Sequence, residues 1–241
     1  MLEIVSAIEE FARFPVTPET KERLLLKLDI PAITRLLDDD AHSDSTCRAL
    51  NKLMPESTVL LRNNGADLWL VGLGHRNSIV RKTTLEILSD LAFQEGGMDY
   101  MSEKALIPAV FKSLADKELT VSKTASDLIL RLSTDASFCS TFFEKCRAEI
   151  NRVIRGDESI SQLRALELLS RIWSQSAECA ELCRQTGAKE TLLALMESED
   201  CLLQLNAVEI LSSLPPGEVS SGILCPISAR IFIILWAGLR V

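Results

Sequence analysis

A block of sequence that returns about every 41 residues constrains this chain more than any other feature. Gln162-Leu-Arg-Ala-Leu-Glu-Leu-Leu-Ser-Arg-Ile172 comes back 42 residues later as Gln204-Leu-Asn-Ala-Val-Glu-Ile-Leu-Ser-Ser-Leu214. Thr84-Leu-Glu-Ile-Leu-Ser-Asp-Leu91 carries the same pattern upstream, and Ala125-Ser-Asp-Leu-Ile-Leu-Arg-Leu132 lies between. Small residues fall at Thr84, Ala125, Ala165 and Ala207, so the steps are 41, 40 and 42. Within each block the inward positions are i, i+4 and i+7, as in Thr84, Leu88 and Leu91, which is the buried stripe of a helix. A second element keeps phase with the first. Leu60-Leu-Arg-Asn-Asn-Gly-Ala66 matches Leu182-Cys-Arg-Gln-Thr-Gly-Ala188, and Glu103-Lys-Ala-Leu-Ile-Pro-Ala-Val110 occupies the corresponding place one period after the first. Gly65 and Gly187 suit the left-handed conformation just past a helix end, and Pro108 suits a first turn.

A unit of this length with two or three helices cannot bury its own apolar stripe, so successive units bury it against one another. The expected fold is all-α, a right-handed α-solenoid of armadillo/HEAT-like repeats over residues 1–214. Four clear units run from about 55 to 214, with a degenerate one over 24–54. Ile33-Thr-Arg-Leu-Leu37 and Leu192-Leu-Ala-Leu-Met196 read as second helices. Polar turns fall at 38–40, 156–158 and 197–200. Residues 215–241 break the pattern: Pro215-Pro-Gly217 stops the last helix, and the remainder is apolar without a polar face. That tail reads as a truncated or alternatively spliced end lying over the exposed last unit, with a functional anchor as the lesser alternative.

The chain carries 34 acidic against 26 basic side chains, a net charge of −8. This argues against nucleic acid, which needs a concentrated basic face. The Met1 end lacks the blocks of a signal peptide, and the most apolar stretch, 231–239, is far short of the roughly 20 residues a membrane helix needs. Seven cysteines without a regular framework suit free thiols in a reducing compartment, so the expected location is cytoplasmic, with the nucleus also open. His42 and His75 have no metal-ligand spacing, and the i, i+4 pair Cys179 and Cys183 fits packing better than zinc. Gly72-Leu-Gly74 lacks the third glycine of a dinucleotide site and reads as a turn. With no Walker, G-x-S-x-G or HExxH sequence, the expectation is no enzyme, no cofactor, no metal and no small-molecule substrate. A cryptic catalytic thiol at Cys146 or Cys183 is the weakest alternative.

What remains is surface. The exposed positions of the long helix in each repeat lie four apart: Glu86 with Asp90, Asp127 with Arg131, Glu167 with Arg171, and Glu209 with Ser213. Glu86, Asp127, Glu167 and Glu209 align as an acidic column on the expected concave face, edged by Lys82 and Lys123. Such positions are either plain solvated sites with ordinary i, i+4 ion pairs or a negative stripe offered to a basic partner.

Leu88-Ser-Asp-Leu-Ala92 resembles the third-helix pattern of armadillo proteins. The importin-α and β-catenin groups place Trp and Asn at the two groove positions, where this chain has Glu86/Asp90 and Glu167/Arg171. Asp67-Leu with Val71-Gly-Leu-Gly-His75, Val80, Thr84-Leu-Glu-Ile87, Leu119-Thr-Val-Ser-Lys-Thr-Ala125 and the order of repeats carry a closer resemblance. With these the chain resembles the 26S proteasome non-ATPase regulatory subunit 5 family, chaperones in assembly of the regulatory-particle base. The resemblance implies a HEAT/armadillo crescent that binds an ATPase subunit of the base during assembly and leaves before the particle docks. Family members are longer, so the resemblance implies that this chain is like their N-terminal portion, with a tail that matches nothing in the family. A general armadillo scaffold in trafficking or signalling is the alternative.

Overall fold

A computed structural model describes residues 17, 29–53, 66–103, 105–215 and 217–218. The matching segment 60–65, the residues of the apolar tail from 219 on, and Cys225 lie outside the described residues. Among those described, the chain forms twelve α-helices and one 3-10 turn, with no strand. It divides into two compact units, 1–132 and 133–241.

The first unit holds α1 (Ile30–Asp38), α2 (Ser43–Leu53), α3 (Ala66–Gly74), α4 (Ser78–Ala92), α5 (Gly97–Glu103), α6 (Leu106–Lys112) with its 3-10 extension Ser113–Ala115, and α7 (Leu119–Leu132). The long helices pack side by side, α2 on α4 and α4 on α7, and the second helices α1, α3 and α6 form their own row. The second unit holds α8 (Ala136–Ile154), α9 (Ser159–Trp173), α10 (Ala177–Arg184), α11 (Ala188–Leu195) and α12 (Cys201–Ser212). There α9 packs on α12 and α8 on α10. The long helices of the four clear repeats are therefore α4, α7, α9 and α12, as the period requires. The aligned small residues Thr84, Ala125, Ala165 and Ala207 are all exposed by 1% or less. A larger side chain there would push neighbouring helices apart.

Polar residues supply the boundaries. Asn77, Asp135, Glu158, Ser176 and Asp200 each accept a hydrogen bond from a backbone amide in the first turn of the following helix, satisfying donors that the helix leaves unpaired. The opposite problem, unpaired carbonyls after each second helix, has one recurring answer. The residue three before each small position donates to one of them: Arg81 Nη1 to the His75 carbonyl at 2.7 Å, the Ser122 hydroxyl to Leu114 at 2.9 Å, Gln162 Nε2 to Ile154 at 2.7 Å, and Gln204 Nε2 to Ser198 at 2.6 Å. Arg81 also forms a buried two-point ion pair with Asp116, through Nε to Oδ2 at 2.5 Å and Nη2 to Oδ1 at 2.8 Å.

The structure corrects the reading of Gly72-Leu-Gly74 as a turn, because these residues complete α3. A Cβ on Gly72 would stand 2.4 Å from Thr84 Oγ1, so the glycine lets α3 lie directly on α4. Gly187 has φ +77° between α10 and α11, as expected. Pro108 sits in the first turn of α6, and the second-helix segments at 33–37 and 192–196 fall on α1 and α11 with its cap.

Candidate functional site

The long helices bury the stripe that follows the small positions and turn the acidic positions outward. In the first unit, Asp90 and Asp127 are exposed and Glu86 is partly so. Lys82 Nζ sits 2.7 Å from Glu86 Oε1, so this lysine neutralises one member of the acidic column from its own helix rather than edging the column. Arg131 does two things on α4 and the turn behind it. Its Nη1 donates to Ser89 Oγ at 2.9 Å, and its guanidinium stacks 4.5 Å from the centre of the Phe93 ring. A cation over an aromatic face is favourable, and it fixes a long side chain on an otherwise solvated surface.

In the second unit the same register forms a groove. Glu167 and Arg171 on α9 face Glu209 on α12 across an open cleft of about 470 Å³, with Ser170, Ser213, Arg164 and Asn206 around them. Ile160, Leu163 and Ile210 give the cleft apolar stretches. Ser213 Oγ donates to Ser170 Oγ at 3.4 Å. This bond repeats the Arg131–Ser89 geometry one register position for another: the residue six beyond a small position reaches back to the residue five beyond the preceding one. The groove thus brings together Glu167, Arg171 and Glu209, the three expected site residues of this unit. Glu86, Asp90, Asp127 and Arg131 belong to the first unit, on the neighbouring helices α4 and α7.

Mixed charge lining an apolar-floored groove can hold an extended or helical segment of another protein: carboxylates take Lys or Arg, and Arg171 takes a carboxylate or a backbone carbonyl. Sequence reasoning did not single out Ile160, Asn206 or Phe93. Ile160 could have been found from the register, since Ile79, Ile160 and Leu202 all stand five residues before a small position and are 59–66% exposed.

Five of the six described cysteines are packed. Cys47, Cys139, Cys146, Cys179 and Cys183 are buried, whereas Cys201 is exposed. Burial pushes the Cys146 thiol up to about 12 and raises Cys183 further, and the Cys183 Sγ–H points at the Leu169 carbonyl, 3.4 Å away. These are protonated thiols, unlike the low-pKa nucleophiles of thiol enzymes. Among the described residues, no group of three His, Cys, Asp or Glu is placed to hold a metal, and no helix is long and apolar enough to cross a membrane.

The protein-family model described as Proteasome non-ATPase 26S subunit matches residues 38–222. The chain is 23% identical over 218 residues to 26S proteasome non-ATPase regulatory subunit 5 of Bos taurus, covering 88% of this chain and 43% of that protein. It is 24% identical over 160 residues to the Homo sapiens protein of the same name, covering 66% of this chain and 32% of the relative. The chain therefore spans less than half the length of these curated relatives. Among solved structures, the designed armadillo repeat protein YIII(Dq)4CqI matches with a TM-score of 0.56 at 16% identity, over 89% of this chain and 94% of the other. A second designed armadillo repeat protein, solved in complex with the peptide (KR)4, matches with a TM-score of 0.53 at 15% identity, over 89% and 92%. These likenesses establish an armadillo-type α-solenoid.

Proposed function

Because the chain belongs to the proteasome non-ATPase 26S subunit family, we propose that it is a non-catalytic binding module that acts in assembly of the proteasome regulatory-particle base by holding an ATPase subunit. The observation that carries this reading is the α9–α12 groove, where Glu167, Arg171 and Glu209 converge on an apolar floor. Such a surface suits recognition of a polypeptide segment and offers no positioned nucleophile, base and oxyanion donor for bond chemistry. Glu86, Asp90, Asp127 and Arg131 hold the same register positions on α4 and α7 of the first unit and are proposed as partner contacts in their own right. The armadillo neighbour that holds an alternating Lys-Arg peptide agrees with a basic segment as the bound element, which matches the net charge of −8 on this chain. The compartment that fits this role is the cytoplasm, with the nucleus as a second.

Affinity purification followed by identification of bound chains tests the proposal. The expected result is recovery of free base ATPase subunits and absence from finished 26S particles. Recovery in stoichiometric amount with mature particles, or binding to no base ATPase, rejects it. Substituting Glu167→Lys and Glu209→Lys together is expected to weaken that binding about tenfold or more while circular dichroism stays unchanged, since exposed substitutions cost little stability.

A further inference from the structure

The second unit contains two thiols that face each other across a repeat boundary. Cys139 lies in the first turns of α8 and Cys179 in the first turn of α10, and these helices pack together. Their sulfurs are 2.7 Å apart, and the side chains are 0% and 1% exposed. A disulfide bond is about 2.05 Å long, so closing the pair asks for a shift well under an ångström. The Cys179 sulfur also approaches the Ser133 carbonyl at 3.9 Å, a weak contact. Cys183, one turn along α10, gives its Sγ–H to Leu169 instead.

We propose that Cys139 and Cys179 form a redox-sensitive staple, closing to a disulfide when the protein meets a hydroperoxide. One sulfur, deprotonated, attacks the peroxide O–O bond and becomes a sulfenic acid as water leaves. The second thiol attacks that sulfur, the S–S bond forms, and a second water departs. Two thiol protons and two electrons pass to hydrogen peroxide, which is reduced to two waters. The bridge encloses the whole of α9, so the helix that supplies Glu167 and Arg171 is held between two covalently joined neighbours. Both sulfurs are shut away from solvent and burial pushes the Cys139 thiol up, so the pair reacts only when the unit opens locally. The staple therefore forms slowly and, once closed, opposes the opening that allowed it.

Hydrogen peroxide treatment of the full chain, alkylation of remaining thiols and unreduced peptide mapping test this directly. Cleavage after Glu181 separates Cys179 from Cys183. The expected product is one peptide pair joined through Cys139 and Cys179, appearing after the exposed Cys201 has reacted. The oxidised protein is expected to melt roughly 10 °C higher, and dithiothreitol should reverse both changes. Cys139→Ala should abolish the link and the melting shift, whereas Cys146→Ala should retain them. If Cys139→Ala does not fold, the map of the unaltered chain still decides. A bridge between Cys179 and Cys183, oxidation of the pair to sulfinic acids, or free thiols at both positions after prolonged treatment overturns the proposal, as does a bridge that leaves the melting temperature unchanged or lower.

Discussion

Ala105 holds the left-handed conformation that Gly187 holds one match later, with φ +57° against +77°, and it is the one described non-glycine residue with positive φ. Segment 103–110 aligns with the glycine-bearing segments, but residue identity alone does not say whether the backbone at Ala105 turns as it does at a glycine. It does, and the Cβ strains it. Ala105→Gly is expected to stabilise the protein by about 1 kcal/mol in denaturant unfolding. Asp116 is a second residue whose role was illegible, because its partner Arg81 lies 35 residues away and no local pattern joins them. Burial pushes the Asp116 carboxyl up, but the Arg81 guanidinium and the Glu118 amide outweigh that and hold it below the usual carboxylate range. A carboxyl lowered on folding binds more protons when unfolded, so its stabilisation is complete above about pH 4 and fades as pH falls further. Stability measured by denaturant titration should drop below that pH, and Asp116→Asn should make the decline shallower. Some slope should remain, because the Ser137 hydroxyl and amide hold Asp135 low as well.

Helices were legible where the apolar stripe and the small residue recurred, which is why α4, α7, α9 and α12 stand where the period put them. The stripe is a packing requirement, and it is written into each helix separately. The first two helices of each repeat were harder to read, because a Gly, Ala or Pro must decide whether the chain breaks. In the repeat that starts at Ala136 nothing breaks it: Cys146 falls where Gly187 stands after α10, and α8 runs 19 residues without interruption. Leu169 is 0% exposed in the middle of α9. Leu169→Asp would place an unpaired carboxylate among apolar neighbours, and a loss of roughly 4 kcal/mol or more is expected. Circular dichroism and thermal melting should report an unfolded or severely weakened second unit. Asp200→Ala removes the acceptor for the Leu202 and Leu203 amides and should cost about 1 kcal/mol in the same measurement.

For the molecule as a whole, repetition revealed the architecture, whereas the proposed binding surface was only half written. Register located Glu167, Arg171 and Glu209, since exposed positions follow from buried ones. Whether Lys82 would border Glu86 or pair with it, and where the Arg131 fork would point, depended on rotamers that no spacing encodes. If the groove charges carry partner binding, raising ionic strength from about 0.05 to 0.5 M should weaken the complex several-fold in a titration, and the charge-reversed protein should lose that dependence. The unbroken α8 has a further consequence for how such a chain can change length. Each residue added to or lost from a helix turns everything beyond it by about 100°, so a single insertion near Cys146 would swing Ile150 and Ile154 away from the interior. The stretch 197–200 has no helical register to keep and can change length as long as the Ser198 carbonyl and the Asp200 cap stay in place; descendants of this sequence should vary in size at the bends and keep α8 at a fixed number of turns.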